Sequence, residues 1–365
     1  MGAIFADSLH LLVPLPVILP LFAAGVKLAL GVRWPRVQQA LSVTTLSVVL
    51  VVGFLLMIGS QQFGPQAVQI GGWWTPIGIT VVADQLAALM VTVSAAITLA
   101  VLIYSIGQGM AGKAEVAPLS VYQPTYLILV AGVSNAFLAG DLFNLYVGFE
   151  ILLTASYVLL TLGGTQSRMR AGAIYVVVSL VSSVLFLIAI ALIFAATGTV
   201  NMAQLGERLP ELADDLRVTL QIMLLIAFAI KAAVIPLAAW LPDSYPTAPV
   251  PVTAVFAGLL TKVGVYSIIR MQTLLFPGPE LNTLLMWVAL ATMVLGILGA
   301  VAQTDIKRLL SFTLVSHIGY MIFGVALGSE LGMAGAVFYI AHHITVQTTL
   351  FLITGLIERR GGSTS

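Results

Sequence analysis

The sequence has no cysteine and little charge. Among its 365 residues, only 8% are Asp, Glu, Lys or Arg. Without cysteine the chain cannot form disulfides, use a thiol in catalysis, or hold zinc or iron–sulfur centres through sulfur. A soluble domain carries about 25% charged residues, so this chain cannot form an ordinary water-facing surface. The net charge is +1 and there is no basic tail, so nucleic acid is not an expected partner.

Long hydrophobic runs are abundant instead. The hydrophobic fraction is 60% and the mean hydropathy is +1.09. A helix that spans a lipid bilayer needs about 20 mainly apolar residues. No basic leader precedes the first run, so we expect a retained span and not a signal peptide. The sequence therefore predicts an all-α polytopic membrane protein with about eleven transmembrane helices, at Leu9–Leu30, Val37–Ile58, Ile79–Ile106, Pro124–Gly140, Leu142–Leu162, Ala171–Ala196, Leu220–Trp240, Val252–Thr273, Leu281–Ala302, Ile306–Leu327 and Leu331–Ile357.

Taken alternately along the chain, the loops between these segments form two sets, one for each side of the membrane. The two sets differ in their number of basic residues. One set holds Lys27, Arg33, Arg36, Lys113, Arg168, Arg170, Lys307, Arg308, Arg359 and Arg360. The other set holds only Arg208, Arg217 and Arg270. Cytoplasmic loops of membrane proteins are enriched in Lys and Arg. We therefore expect the N-terminus to lie outside the cell and the C-terminus in the cytoplasm.

A few ionisable residues lie near the middle of the apolar segments. Each charge at the bilayer centre costs about 2.5–3.5 kcal/mol on insertion scales, so such residues usually serve a function. Burial lowers the pKa of lysine and raises the pKa of glutamate. Both values then approach the neutral range in which histidine exchanges protons. The set therefore predicts proton translocation at mid-membrane, without a metal or a cofactor. Its members are Glu150, Lys231, Lys262, His317, His342 and His343.

Each of these residues also has a structural alternative. Glu150 and Lys231 would, as a buried ion pair, only fix the register of two helices. Lys262 would extend its side chain toward the membrane surface. His317 would pack with its ring bonded to a neighbouring carbonyl. Of the two adjacent histidines, only one is expected to face the interior, because successive helix residues point about 100° apart.

Pro236 follows Lys231 by five residues and predicts a break in the seventh helix. Proline donates no backbone hydrogen bond, and its ring displaces the carbonyl of Ala232. The chain then runs WLPDSYPTAPVPVTAVF, with four more prolines. Transporters place ion sites at mid-membrane with broken helices of this kind. A packing kink is the simpler alternative, and the neighbouring lysine favours the functional interpretation.

Four stretches resemble the proton-pumping membrane subunits of the complex I and Mrp superfamily. They are DLFNLYVGFEILLTASYVLL, IKAAVIPLAAWLPDSYPTAPVPVTAVFAGLLTKVGVYSIIR, TDIKRLLSFTLVSHIGYM and FYIAHHITVQTTLFLITGLIERRGG. Within the superfamily they are most similar to the D-type subunits of multisubunit Na⁺/H⁺ antiporters of the Mrp type. By this resemblance, Glu150 matches the family's fifth-helix glutamate. Lys231 matches the lysine on the broken helix, Lys262 the lysine on the eighth helix and His343 the histidine on the eleventh.

The resemblance also implies a fold and partners. The family has fourteen helices that include two inverted repeats of five. Residues 1–123 would form an N-terminal three-helix segment, residues 124–273 the first proton-translocating repeat, and residues 281–365 a truncated second repeat. The implied partners are the other membrane subunits of an Mrp-type complex, protons, and Na⁺ or another monovalent cation. The implied location is the plasma membrane of a prokaryotic cell.

Four functions are compatible with these features. The leading hypothesis is a proton-translocating subunit of a cation/proton antiporter, which is a secondary transporter and not an enzyme. The alternative is a pump subunit of a complex I-type NADH:quinone oxidoreductase or a membrane-bound hydrogenase. No flavin, nicotinamide or cluster motif occurs, so redox chemistry would belong to partners. A haem protein with His317 and His343 as axial ligands is a third hypothesis, although haem has no use for Glu150 or the lysines. A passive scaffold subunit is the fourth.

Overall fold

Helices dominate the described part of the chain. The computed structural model describes residues 9–31, 33–108 and 119–362. Within those ranges, ten helices are long and apolar enough to cross a membrane. The prediction of an all-α polytopic membrane protein is therefore confirmed. Lys113, which the sequence placed in a basic loop, lies outside the described residues.

The chain divides into two compact units. The first comprises Met1–Gly163 and Gly198–Gln204, and the second comprises Gly164–Thr197 and Leu205–Ser365. The division between Gly163 and Gly164 falls inside the stretch 124–273 that was predicted as one repeat. The repeat boundaries inferred from sequence stay a prediction.

Among the residues that the structure describes, the first unit contains five long helices and a β-hairpin. Helix α1 packs against α4, α2 packs against α3, and α4 packs against α5. Pro35 at the first position of α2 suits a helix start because the missing N–H has no helical partner there. The helices are α1 Leu15–Leu30, α2 Pro35–Phe63, α3 Gln85–Gly107, α4 Leu119–Leu138 and α5 Leu142–Thr161.

The hairpin corrects the predicted third span. Strands β1 Gln66–Ile70 and β2 Ile79–Ala83 pair antiparallel, so residues 79–83 are not helical. The β-branched run ITVV favours a strand. Helix α3 begins only at Gln85, after Asp84, whose carboxylate accepts a hydrogen bond from the amide of Ala87 at 2.9 Å. The N-cap residue therefore sets where the span starts.

Short helix α7, Met202–Arg208, contains the third boundary between the units, between Gln204 and Leu205. In its described residues the second unit otherwise holds six long helices, a short helix and two 3₁₀ turns. Helix α10 includes two π-helical stretches, Phe256–Leu260 and Met271–Leu275. The helices are α6 Gln166–Thr197, α8 Asp214–Ala232, α9 Trp240–Ser244, α10 Val250–Leu275, α11 Asn282–Val301, α12 Ile306–Ala326 and α13 Glu330–Gly361, and the 3₁₀ turns are Leu209–Glu211 and Tyr245–Thr247.

Small residues bring the helices of the second unit close together. Helix α11 packs against α12, α12 against α13, and α6 and α10 against α8. A Cβ atom on Gly296 of α11 would stand 2.5 Å from the amide nitrogen of Ser316 on α12. Glycine at such crossings lets two backbones approach without a clash, which is common between membrane helices.

The seventh predicted span is shorter than the sequence indicated. It was expected over Leu220–Trp240, but α8 ends at Ala232. Helix α8 also carries Asp214, Asp215, Arg217 and Lys231 within 19 residues. It is therefore not among the ten helices that qualify as spans by length and composition, and the predicted count of eleven exceeds the observed count by this helix.

Candidate functional site

Lys231 lies in the last turn of α8, one residue before the helix ends. Ala233 adopts the left-handed conformation with φ of 59°. The chain therefore leaves helical geometry two residues after the lysine. The Nζ atom of Lys231 donates a hydrogen bond to the hydroxyl of Ser183 on α6 at 3.1 Å.

Side chains from neighbouring elements satisfy the backbone at this break. The indole N–H of Trp240 donates to the carbonyl of Ile230 at 3.2 Å. The amide of Ile235 donates to the hydroxyl of Thr292 on α11 at 3.2 Å. Thr292 replaces the carbonyl that a continuing helix would offer to the amide of Ile235, whereas the carbonyl of Ile230 also accepts from the amide of Ala233 at 3.2 Å. Both groups are therefore satisfied at the break.

Lys262 is fully buried in α10. Its Nζ atom donates to the carbonyl of Ala257 at 2.5 Å, and Ala257 lies in the first π-helical stretch. A π-helical stretch changes the backbone hydrogen-bond register, and such stretches occur often at functional sites. Thr348 of α13 donates to the carbonyl of Ala254 at 3.3 Å, so α13 packs directly beside this part of α10.

His317 of α12 and His343 of α13 face each other. Their ring centroids are 4.6 Å apart. Nδ1 of His317 shares a hydrogen bond with the hydroxyl of Tyr339, whose ring lies 6.1 Å from the ring of His343 at an interplanar angle of 14°. Lys262 is close enough to interact electrostatically with both histidines. The second unit thus brings together three of the predicted residues.

The two adjacent histidines differ in environment. His343 is 2% exposed, and neither of its ring nitrogens has a hydrogen-bond partner within the described ranges. His342 is exposed, and its ring stacks on Phe338 at 6.3 Å with an interplanar angle of 4°. His343 is therefore the histidine that faces the interior, and a role for His342 in proton movement stays a prediction.

Glu150 belongs to the first unit, on α5. The side chain is half-buried, and its Oε1 atom is buried with no hydrogen-bond partner among the residues that the structure describes. Tyr146, one helical turn earlier, interacts with it electrostatically. Since Lys231 belongs to the other unit, the predicted pairing of Glu150 with Lys231 stays a prediction.

Lys27 was assigned to a loop from sequence, and this was wrong. Helix α1 continues to Leu30, so Lys27 lies in its last turn. The side chain is fully buried. Its Nζ atom donates to the carbonyl of Gln38 at 2.7 Å, to the hydroxyl of Ser42 at 2.6 Å, and to Oε1 of Gln123. Three oxygen atoms from α2 and α4 therefore surround a buried ammonium group.

Sequence reasoning also missed Ser183 and Tyr339, because neither carries a charge. Nothing local marks Ser183. Tyr339 stands four residues before His343, and residues at that spacing lie on the same face of a helix. This spacing is the signal that would have found Tyr339.

Asp141 is a buried carboxylate between α4 and α5, outside the spans. It accepts hydrogen bonds from the amide of Asn144 at 2.6 Å and from the amide of Thr80 at 3.1 Å. Burial raises the pKa of Asp141, and the backbone hydrogen bonds oppose that rise. The residue therefore caps α5 and ties β2 to its start.

Comparison with known proteins gives consistent matches. A protein-family model described as "NADH:quinone oxidoreductase/Mrp antiporter, TM" matches residues 139–365. A Na⁺/H⁺ antiporter subunit of the D type from Alkalihalophilus pseudofirmus is 40% identical over 357 residues, which cover 97% of this chain and 71% of that protein.

Two solved structures match over nearly the whole chain. A chain of the Mrp complex from Dietzia sp. DQ12-45-1b aligns with a TM-score of 0.89 and 34% identity over 98% of this chain and 66% of that chain. A chain of an archaeal respiratory membrane complex, the membrane-bound sulfane sulfur reductase, aligns with a TM-score of 0.85 and 28% identity over 98% of this chain and 72% of that chain. The sequence thus spans 66% to 72% of the length of these three proteins.

Proposed function

Because the chain belongs to the NADH:quinone oxidoreductase/Mrp antiporter family, we propose that it is a proton-translocating, D-type subunit of a multisubunit Na⁺/H⁺ antiporter. The observation that carries this proposal is Lys262, a lysine with no exposed surface inside an apolar membrane helix. Lys27 is equally buried but joins α1 to α2 and α4, whereas the described hydrogen bond of Lys262 goes to a carbonyl of its own helix and links no second helix that would offset the cost of the charge. A group that alternately binds and releases one proton needs such a position.

The proposed route runs through Glu150, Lys231, Lys262 and His343, with His317 beside His343. Each of these groups holds at most one proton that it can pass on. The break after Lys231 supports a switching role, because the end of α8 is not held by a continuing helix. An opposite charge within about 4–6 Å favours the charged form of a lysine. Movement of Lys231 relative to Glu150 would therefore change when the lysine releases its proton.

The proposed partners follow from the family. The chain would assemble with other membrane subunits of an Mrp-type complex and exchange protons for Na⁺ or another monovalent cation. We also propose that the N-terminus faces outward and the C-terminus the cytoplasm, which requires α8 to cross the membrane in addition to the ten helices that qualify by length and composition. With Lys27 removed from the loop set, nine basic residues remain against three, so the asymmetry holds. Reporter fusions at both ends, one active in the cytoplasm and one outside it, test this orientation.

Vesicle transport tests the proposed function. The complete antiporter, with its partner subunits, is expressed in cells without other Na⁺/H⁺ antiporters. Na⁺-dependent dissipation of a pH gradient is then measured in inverted membrane vesicles. Glu150→Gln, Lys231→Ala and Lys262→Ala are each expected to abolish exchange, whereas Glu211→Gln at an exposed position should retain it. Full exchange in the Glu150 and Lys231 variants would rule out the proposed route.

The match to a respiratory complex gives a second candidate. A pump subunit of a redox-driven complex would use the same buried groups, but electron transfer in partner subunits would drive it. The 28% identity to a chain of the sulfane sulfur reductase complex favours this candidate. NADH oxidation by the purified complex would support the redox-driven pump, and Na⁺/H⁺ exchange without oxidation would support the antiporter.

A further inference from the structure

Tyr339 is the hydrogen-bond partner of His317 among the residues that the structure describes. Its hydroxyl lies against Nδ1 of His317, and its ring stacks beside the imidazole at 5.9 Å and 29°. It is half-buried in α13, within an apolar span. Neither the sequence motifs nor the family match gives this tyrosine a role.

The placement of Tyr339 couples two helices of the second unit. Tyr339 and His343 are one helical turn apart on α13, so the same face presents a hydroxyl and an imidazole to α12. His317 of α12 therefore has the hydroxyl at Nδ1 and the ring of His343 at 4.6 Å. The orientation of the His317 ring is fixed by both contacts.

We propose that Tyr339 is a positioning residue that selects the tautomer of His317 and leaves its Nε2 atom to exchange the proton. This inference rests on the proposed proton-translocating function. A neutral imidazole has one nitrogen that donates and one that accepts. In the proposed arrangement Nδ1–H donates to the phenol oxygen of Tyr339, so the neutral ring keeps its hydrogen on Nδ1 and the lone pair of Nε2 is open to a proton. A proton that arrives at or leaves His317 then does so at a single, defined atom.

Most of the elements that pack against α12 supply charged or titratable groups. Helix α10 contributes Lys262, and α13 contributes Tyr339, His342 and His343. Helix α12 itself contributes Tyr320, whose ring centroid is 6.0 Å from that of His317. Helix α11 contains no ionisable residue. Segments α9 and Tyr245–Thr247 also pack against α12 and contribute Asp243, which pairs with Arg308 at 3.1 Å, and Tyr245.

Nuclear magnetic resonance of ¹⁵N-labelled histidine tests the proposal directly. The chain has only four histidines, so four imidazole signal pairs are expected and His→Gln variants assign them. In the intact complex, His317 should show one neutral tautomer with protonated Nδ1. Tyr339→Phe should produce a mixture of tautomers. Tyr320→Phe is the matched control, because it removes a neighbouring phenol hydroxyl and should leave the His317 signals unchanged.

Transport in a double-mutant cycle gives the second readout. Loss of one neutral hydrogen bond corresponds to roughly a 2- to 10-fold slower exchange in Tyr339→Phe. If Tyr339 acts through His317, the same change should have no further effect in a His317→Gln background. If His317→Gln abolishes exchange completely, the ¹⁵N spectrum alone decides.

Two results would overturn the proposal. One is a His317 tautomer that does not change in Tyr339→Phe. The other is an equal slowing by Tyr339→Phe with and without His317. Either result, together with lost exchange in Glu150→Gln, would leave the transport function standing and remove only the role of Tyr339. Exchange that survives Glu150→Gln and Lys231→Ala would instead count against the proposed function itself.

Discussion

Gly264 lies directly against the backbone of Ala232. A Cβ atom on Gly264 would stand 2.5 Å from the amide nitrogen of Ala232 and 2.9 Å from the carbonyl carbon of Lys231. Real Cβ atoms do not approach backbone atoms so closely. Helix α10 therefore crosses α8 at the residue where α8 ends, and Gly264 is two residues after Lys262. One glycine contact sets the spacing of the helices that carry both lysines.

Gly264→Ala should therefore displace the end of α8 and impair transport. Overpacking of a tight contact destabilises by about 1–3 kcal/mol. We expect a lower unfolding temperature in detergent and a reduced rate of Na⁺-dependent exchange in vesicles. Gly335→Ala is the control, since a Cβ there meets nothing within 4 Å and alanine favours a helix by roughly 0.5–1 kcal/mol. Equal behaviour of the two variants would contradict the proposed constraint.

The helix break illustrates what the sequence can predict. Proline removes a donor and blocks a carbonyl through local covalent geometry, so Pro236 indicates an interruption near Lys231 without any tertiary information. The apolar runs are equally local, because the bilayer requires each span to satisfy its own backbone. These rules identified most of the spans.

The failures involve tertiary contacts. Residues 79–83 are apolar enough for a span, but they pair with β1, and only the partner strand reveals that. Lys27 stands near a basic connection, and its burial depends on oxygen atoms from α2 and α4. Tyr339 acquires its significance from His317, 22 positions away in sequence. The run ITVV and the four-residue spacing of Tyr339 and His343 are local signals, but neither identifies the partner in the fold.

Lys27→Met should destabilise the first unit. Methionine has a similar length but leaves the carbonyl of Gln38 and the side chains of Ser42 and Gln123 without their donor. Hydrogen bonds to charged groups contribute about 1.5–3 kcal/mol. The hydroxyl of Ser42, 3.2 Å from the carbonyl of Gln38 and from Oε1 of Gln123, can still donate to one of them and limits the loss. Thermal unfolding of the purified protein in detergent measures the change.

Lys307→Met provides the matched control for Lys27. Lys307 pairs with Glu358 at 2.7 Å, and that carboxylate is 43% exposed. The Lys307 side chain is 13% exposed, so water reaches the pair mainly through the carboxylate. Ion pairs in contact with water contribute about 0–1 kcal/mol, so Lys307→Met should destabilise less than Lys27→Met. If Lys307→Met lowers the unfolding temperature as much as Lys27→Met does, the buried ammonium does not hold α1, α2 and α4 together.

Stability should depend on pH through Asp141. Burial raises the pKa of Asp141 in the folded state. At pH values between the ordinary pKa and this raised pKa, the folded protein therefore binds more protons than the unfolded chain. The free energy of unfolding therefore falls as pH rises through that interval. Asp141→Asn should flatten this part of the curve, which unfolding temperatures measured from pH 4 upward would show. Parallel curves for the two proteins would contradict the assignment.

Lys231→Arg separates a fixed charge from a proton carrier. Arginine keeps the positive charge and can still donate to the hydroxyl of Ser183, the partner that Lys231 reaches at 3.1 Å. It does not release its proton in proteins. If Lys231 only fixes helix register through its charge, Lys231→Arg should retain most of the exchange. If the lysine must change protonation, Lys231→Arg should lose exchange as fully as Lys231→Ala.

We expect Lys231→Arg to lose exchange while the antiporter remains assembled in the membrane. Ser183→Ala is the control for the hydrogen bond, because it removes the partner and leaves the titratable amine. Loss of one neutral partner of a charged group corresponds to about 1.5–3 kcal/mol, so Ser183→Ala should slow exchange without abolishing it. An active Lys231→Arg protein would show that the charge beside the helix break is structural, and the proton route would then have to bypass α8.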